Sequence, residues 1–141
     1  TVVNFNDIEV TQDNPVELKG LYEGIDWGDR GWMVGTDGSK KFIYMNSTEN
    51  LQSMTIKLPE GMMLKEIFFK AREKVADQFI RFSADDSGEK AQWTYFSTDY
   101  FHGPYGPDCE EPSQSLTITI STQSGYGASN VLIGSLTYGK P

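Results

Sequence analysis

The stretch "SLTITIST" at positions 115 to 122 alternates apolar and hydroxyl side chains with period two. On a helix Leu116, Ile118 and Ile120 would be scattered around the axis. On a strand they share one face, with Ser115, Thr117, Thr119 and Ser121 on the other. "SMTIKL" repeats the pattern, with Met54, Ile56 and Leu58 against Ser53, Thr55 and Lys57. Such alternation belongs to sheets with one face in a core and one in water. Further strand candidates are "KFIYM" (41–45), "QFIRFSA" (78–84), "AQWTYFS" (91–97) and "NVLIGSLTY" (130–138), separated by turn signals such as "DG", "NS", "DDSG" and "SGYG". This spacing predicts an all-β chain, an antiparallel β-sandwich of jelly-roll type.

The segment 62–77 admits two readings. In "MLKEIFFKAREKVADQF", Leu64, Phe68, Ala71 and Val75 fit helical spacing in a run of good helix formers. As a β-hairpin the same residues place Ile67, Phe69 and Ala71 on one face, turn near Lys74 to Asp77 and return through "QFIRF". The strands on either side favour the hairpin.

At 141 residues the chain is expected to form one domain, 1–141, large enough for a single core without metals or disulfides. The formal net charge of −8 opposes nucleic acid and anionic membrane surfaces, whose phosphates would be repelled. A single cysteine, Cys109, permits no internal disulfide and no soft-ligand zinc cluster. No apolar run reaches the roughly 20 residues of a membrane span, and the start "TVVNFND" lacks a charged n-region or apolar h-region. The sequence reads as a soluble module excised from a larger protein.

The stretch "EGIDWGDRGWMVG" (23–35) carries two of the three tryptophans, Trp27 and Trp32, among glycines and charges. In an extended chain five positions would set these indoles on opposite faces. A glycine-rich turn cancels that parity and lets both line one surface. An exposed pair of indoles would suit a sugar, whose axial C–H patch lies on an aromatic ring while its hydroxyls meet polar groups at the rim. The competing reading places both tryptophans in the core beneath a loop. Trp93 is a candidate third stacking residue or an inward-facing core residue. Tyr105, in "DYFHGPYGPD", and Tyr126, in "TQSGYGASN", are candidate loop-borne flanks or covers of the core edge. Gln78 could offer its amide to vicinal hydroxyls, or simply face solvent.

Catalytic signals are sparse. The one histidine, His102, sits in an aromatic Gly/Pro loop, and no Gly-x-Ser-x-Gly or phosphate-cradling motif occurs. "SADDSGE" and "GPDCEEP" read first as solvated turns, since carboxylate pairing for glycoside hydrolysis depends on spatial separation. Asn6, Asp7 and Glu9 make an oxygen-rich N-terminal group that could suit calcium, although no EF-hand-like loop is present. The expectation is no catalytic residue and no cofactor.

"VNFNDIE", "LYEGIDWGDRGWMV" with its Trp-x4-Trp pair, the Ser/Thr-lined strands and the closing "VLIGSLTYG" together resemble a carbohydrate-binding module of family 65, the β-glucan and xyloglucan binders attached to bacterial endoglucanases. The resemblance implies a jelly roll whose concave sheet stacks aromatics on a glucan backbone, with polar side chains, glutamine among them, on the hydroxyls. Trp27 and Trp32 match the family's tryptophan pair. A further tryptophan expected near "FFKAREK" is absent, and Trp93 is assigned its place. The resulting expectation is a secreted, monomeric, non-catalytic module. It would bind β-1,4-linked glucans, such as xyloglucan, mixed-linkage β-glucan or cellulose-type chains, and target an attached hydrolase to plant cell wall. A protein-binding adhesin-like sandwich and a small jelly-roll glycosidase or lyase are the competing classes. Released reducing ends would mark the enzyme; fluorescence insensitive to sugar would mark the adhesin.

Overall fold

The computed structural model describes residues 1–106 and 110–141. In chain order the strands are β1 (Val2–Val3), β2 (Val16–Leu18), β3 (Leu21–Tyr22), β4 (Ile25–Asp26), β5 (Trp32–Thr36), β6 (Lys41–Met45) and β7 (Leu51–Lys57). There follow β8 (Met63–Ala71), β9 (Phe79–Ala84), β10 (Glu89–Trp93), β11 (His102–Tyr105), β12 (Ser115–Ser121) and β13 (Val131–Gly139). All pairings are antiparallel. One sheet runs β11-β8-β13-β6-β5-β2 with β1 beside β13, and the other runs β10-β9-β12-β7-β4-β3. The chain is therefore an all-β sandwich of two antiparallel sheets. Among the described residues no helix is long and apolar enough to cross a membrane.

Alternation positions the core. Leu116, Ile118 and Ile120 of β12 are buried, and their hydroxyl neighbours face out. From the opposite sheet Ile67 and Phe69 of β8, Ile43 of β6 and Ile133 of β13 enter the same cluster. Burying a side chain of this size stabilises by about 1.5–3 kcal/mol each. The N-terminal "VNFN" follows the same rule without a long ladder: Val3 and Phe5 are fully buried, while Asn4 and Asn6 are exposed.

The helical reading of 62–77 fails, because Met63–Ala71 is a strand and the helical element among the described residues is one 3-10 turn at Gly127–Asn130. The hairpin reading is corrected as well. Ile67, Phe69 and Ala71 do share the inner face. However, β8 pairs with β11 and β13 while β9 pairs with β10 and β12, so the link from Arg72 to Gln78 passes from one sheet to the other. A buried side chain, Asn130, fastens this crossover. Its Oδ1 accepts from the Glu73 backbone N–H at 3.0 Å, and its Nδ2 donates to the Glu73 carbonyl at 3.1 Å and to Gln78 Oε1 at 2.8 Å.

The two sheets differ on their outer faces. On the six-stranded sheet the outward side chains of β7 and β12 are hydroxyls joined in cross-strand pairs, Ser53 with Thr119 at 2.7 Å and Thr55 with Thr117 at 2.9 Å. On the seven-stranded sheet the outward positions of β6, β8 and β13 hold Phe42, Tyr44, Phe68 and Leu132. Phe42 and Leu132 are buried there without belonging to the central core cluster. A second apolar layer thus covers the outside of that sheet.

Candidate functional site

Trp27 and Trp32 do not form an exposed platform. They are 1% and 0% exposed, with ring centroids 5.5 Å apart in an edge-to-face contact. The stretch between them is the crossover from β4 in one sheet to β5 in the other, and Gly28 and Gly31 adopt the positive φ values of 86° and 106° that reverse the chain. The turn brings the two indoles into contact but not onto one surface: the chain crosses between the sheets, and the rings meet in the interior. Trp27 Nε1 donates to the Tyr22 carbonyl at 3.2 Å, whereas Trp32 Nε1 is buried without a partner among the described residues.

Gln78 is likewise corrected: it is 3% exposed, and its Oε1 is taken by Asn130. Trp93 is half-buried against Phe82, Phe69 and Tyr105, with centroids 5.6, 6.3 and 5.0 Å away. Tyr105 belongs to the edge strand β11 rather than to a loop and stacks on Phe69 at 5.0 Å. Both rings close the open edge between β10 and β11, and burial raises the Tyr105 phenol above the usual tyrosine range. His102 shares this edge, ringed by Tyr95, Tyr105 and Tyr100 at 4.8, 5.3 and 5.8 Å, with Nδ1 buried and without a partner among the described residues. Tyr126 is 50% exposed and lies beside Arg72 on the outer face of the seven-stranded sheet. Asp7 accepts a hydrogen bond from the Tyr22 hydroxyl, and the described residues contain no cluster of acids, His or Cys able to hold a metal. Cys109 and the Pro-Asp preceding it lie outside the described residues.

The candidate site is instead a groove of about 490 Å³ on that outer face. Phe68 and Phe101 form its apolar walls, and Gly134 and Ser135 of β13 also line it. Phe101 rests against Gly134 so closely that a Cβ there would sit 2.8 Å from its ring. In the same way a Cβ on Gly35 would come within 2.9 Å of Phe42 and 3.1 Å of Tyr44. A glycine inside a strand weakens it, so two on one outer face mark places where something must approach the backbone. Here aromatic rings do so, and they form a continuous row in which Phe42 lies 6.3 Å from Phe101 and 6.2 Å from Tyr44.

Polar side chains rim the groove. Asn4 and Asn6 come from the N-terminal segment, and Ser39 and Lys40 from the β5–β6 turn. Lys41 Nζ holds the N-terminal segment in place by donating to the carbonyls of Asn6 at 2.9 Å and Ile8 at 2.6 Å. Asp37 shapes the turn, accepting from the backbone N–H groups of Lys40 at 2.8 Å and Ser39 at 2.9 Å. These bonds, Lys40 first, hold its carboxyl below the usual range, assisted by Lys70 at 3.7 Å. On the far side of Phe101 a smaller hollow of about 230 Å³ continues past Lys70 and Tyr100.

The sequence held a signal for these residues. In "KFIYM" and "KEIFFKA" the positions opposite in parity to the core residues Ile43 and Phe69 are Phe42, Tyr44 and Phe68, aromatic where hydroxyls or charges would be usual. Phe101 carried no comparable pattern, since a loop residue has no parity. Comparison of the chain with family models, curated proteins and solved structures returns no match.

Proposed function

We propose that this chain is a non-catalytic carbohydrate-binding module whose ligand, a β-1,4-linked glycan, lies along the outer face of the seven-stranded sheet. The observation that carries the reading is the pairing of the Phe68 and Phe101 walls with a rim of two asparagines, a serine and two lysines. Aromatic rings meet the C–H patch of a pyranose, and amide, hydroxyl and ammonium groups address its hydroxyls. An open groove of this kind accommodates an internal stretch of a chain rather than only its end. Stacking over Phe68 and Phe101 therefore takes the place given to Trp27 and Trp32 by sequence.

The jelly-roll reading is supported by strand order. The eight strands from β6 to β13 divide so that β6-β13-β8-β11 lie together in one sheet and β7-β12-β9-β10 in the other, the double wrapping of that fold. The family-65 resemblance is consistent with this arrangement, as is an extracellular module that targets an attached hydrolase to β-glucan or xyloglucan. Affinity electrophoresis on xyloglucan, barley β-glucan and an unrelated polysaccharide tests the reading. Retardation on a β-glucan, weakened by Phe101→Ala in a protein that keeps its far-ultraviolet spectrum, supports it. Unretarded migration on every glucan overturns it.

A further inference from the structure

Resting on the glycan reading, we infer that Arg72 is a carboxylate-binding subsite beyond the groove and that the preferred glycan carries uronate units. The chain has 20 acidic and 12 basic residues. None of its three arginines joins a carboxylate among the described residues, and Arg72 is the one set among three aromatic rings. The ion pairs among the described residues are Lys19 with Glu17 and Lys70 with Asp37, and Arg72 is in neither. The acid beside it in sequence, Glu73, turns its carboxylate to the Gly125 backbone N–H at 3.1 Å.

Arg72 is nonetheless firmly held. Its backbone N–H donates to the Asn130 carbonyl at 2.8 Å and its Nε to the Ser129 carbonyl at 2.7 Å. The guanidinium carbon lies 4.4 Å from the Tyr44 ring centroid and 5.7 Å from those of Phe42 and Tyr126. One edge of the fork is thus fixed, the plane rests among aromatic rings, and neither terminal nitrogen meets an acceptor among the described residues. A planar, pre-oriented pair of N–H donors matches a carboxylate better than a point charge does. Phe42 links this subsite to Phe101 and hence to the groove. The net charge of −8 works against any polyanion, and screening beyond about 8 Å at physiological ionic strength leaves the local contacts of Arg72 to outweigh it.

The test is isothermal titration at 0.15 M salt with two oligosaccharides of equal length: cello-oligosaccharide, and its C6-oxidised counterpart, a β-1,4-linked glucuronan. They differ only in the carboxylate. Binding of the oxidised chain about tenfold tighter, the value of a charge-assisted hydrogen-bond pair, is expected. Arg72→Gln should remove that preference while leaving cello-oligosaccharide binding within about twofold, and Arg72→Lys should restore only part of it, because it returns the charge without the fork. If Arg72→Gln does not fold, the wild-type preference and the Arg72→Lys loss decide. Equal binding of the two sugars by the wild type overturns the inference and leaves the glycan reading standing. Failure of both to bind overturns the inference, and the glycan reading falls with it when migration on xyloglucan and barley β-glucan is also unretarded. Dextran sulfate binding as tightly as the glucuronan also overturns the inference, since it would show attraction to polyanions in general.

Discussion

Truncating Trp32 separates a core tryptophan from a binding-surface tryptophan by magnitude. The side chain is fully enclosed, so Trp32→Ala removes an indole from a packed site that includes Trp27, at a cost of about 3–5 kcal/mol. An exposed residue truncated in the same way would change stability by about 0.5 kcal/mol or less. With a guanidinium dependence of about 4 kcal/mol per molar, the expected loss moves the unfolding midpoint down by about 1 M. Far-ultraviolet circular dichroism should follow the transition, because tryptophan emission is itself altered. A paired comparison refines the argument. Trp27→Phe and Trp32→Phe remove the same atoms, but Trp27 loses a hydrogen bond to the Tyr22 carbonyl, whereas Trp32 loses an N–H that already lacked a partner among the described residues. Trp27→Phe should therefore be the more destabilising by about 1–3 kcal/mol. A Trp32→Ala midpoint within 0.2 M of the wild type, measured in guanidinium, would refute the core assignment. Equal costs for the two Phe variants would refute the account of the indole hydrogen bond.

Asn130→Ala leaves the Gln78 amide and the Glu73 backbone without their buried partner, and a loss of about 2–4 kcal/mol is expected in the same denaturation assay. Gly134→Ala places a methyl 2.8 Å from the Phe101 ring and should displace it, weakening glucan retardation more than it lowers the melting temperature. Burial, the Asp7 hydrogen bond and the negative charge of Asp7 and Glu23 push the Tyr22 phenol well above its usual value, and burial raises Tyr105. Their stabilising contribution is full below the unfolded tyrosine value of about 10 and is lost as pH rises through the folded values, so alkaline unfolding should coincide with the last steps of phenolate absorbance. Asp37 acts in the opposite direction. Its lowered carboxyl contributes stability above the unfolded value of about 3.9 that disappears as pH falls through the folded one, and Asp37→Asn should flatten that acid limb.

Much of the fold was legible in sequence because it rests on local alternation. Lys41–Met45 is a strand with the expected bounds, and Leu116, Ile118 and Ile120 face inward as their spacing requires. "QFIRFSA" and "NVLIGSLTY" are strands within a residue or two at each end, while "AQWTYFS" is a strand only as far as Trp93. The candidate site was less legible. Of Trp27, Trp32, Trp93, Gln78, Tyr105 and Tyr126, only Tyr126 is exposed on the outer aromatic face. The burial of Gln78 was invisible because its partner, Asn130, is 52 residues away.

Sequence by itself determined that this is a β protein, where its strongly alternating strands fall and which of their side chains share a face, since the two-residue period is a property of the extended backbone. It also placed Trp27 and Trp32 on either side of a glycine-rich turn. Tertiary structure alone decided that this turn crosses between the sheets and brings the two indoles together in the core. Whether a short link joins partners in one sheet or crosses between two depends on where distant strands lie, and both 28–31 and 72–78 cross. Inside and outside are assigned only when the second sheet closes over the first. That closure buries the tryptophans and leaves Phe68, Phe101 and Arg72 on the face that meets solvent.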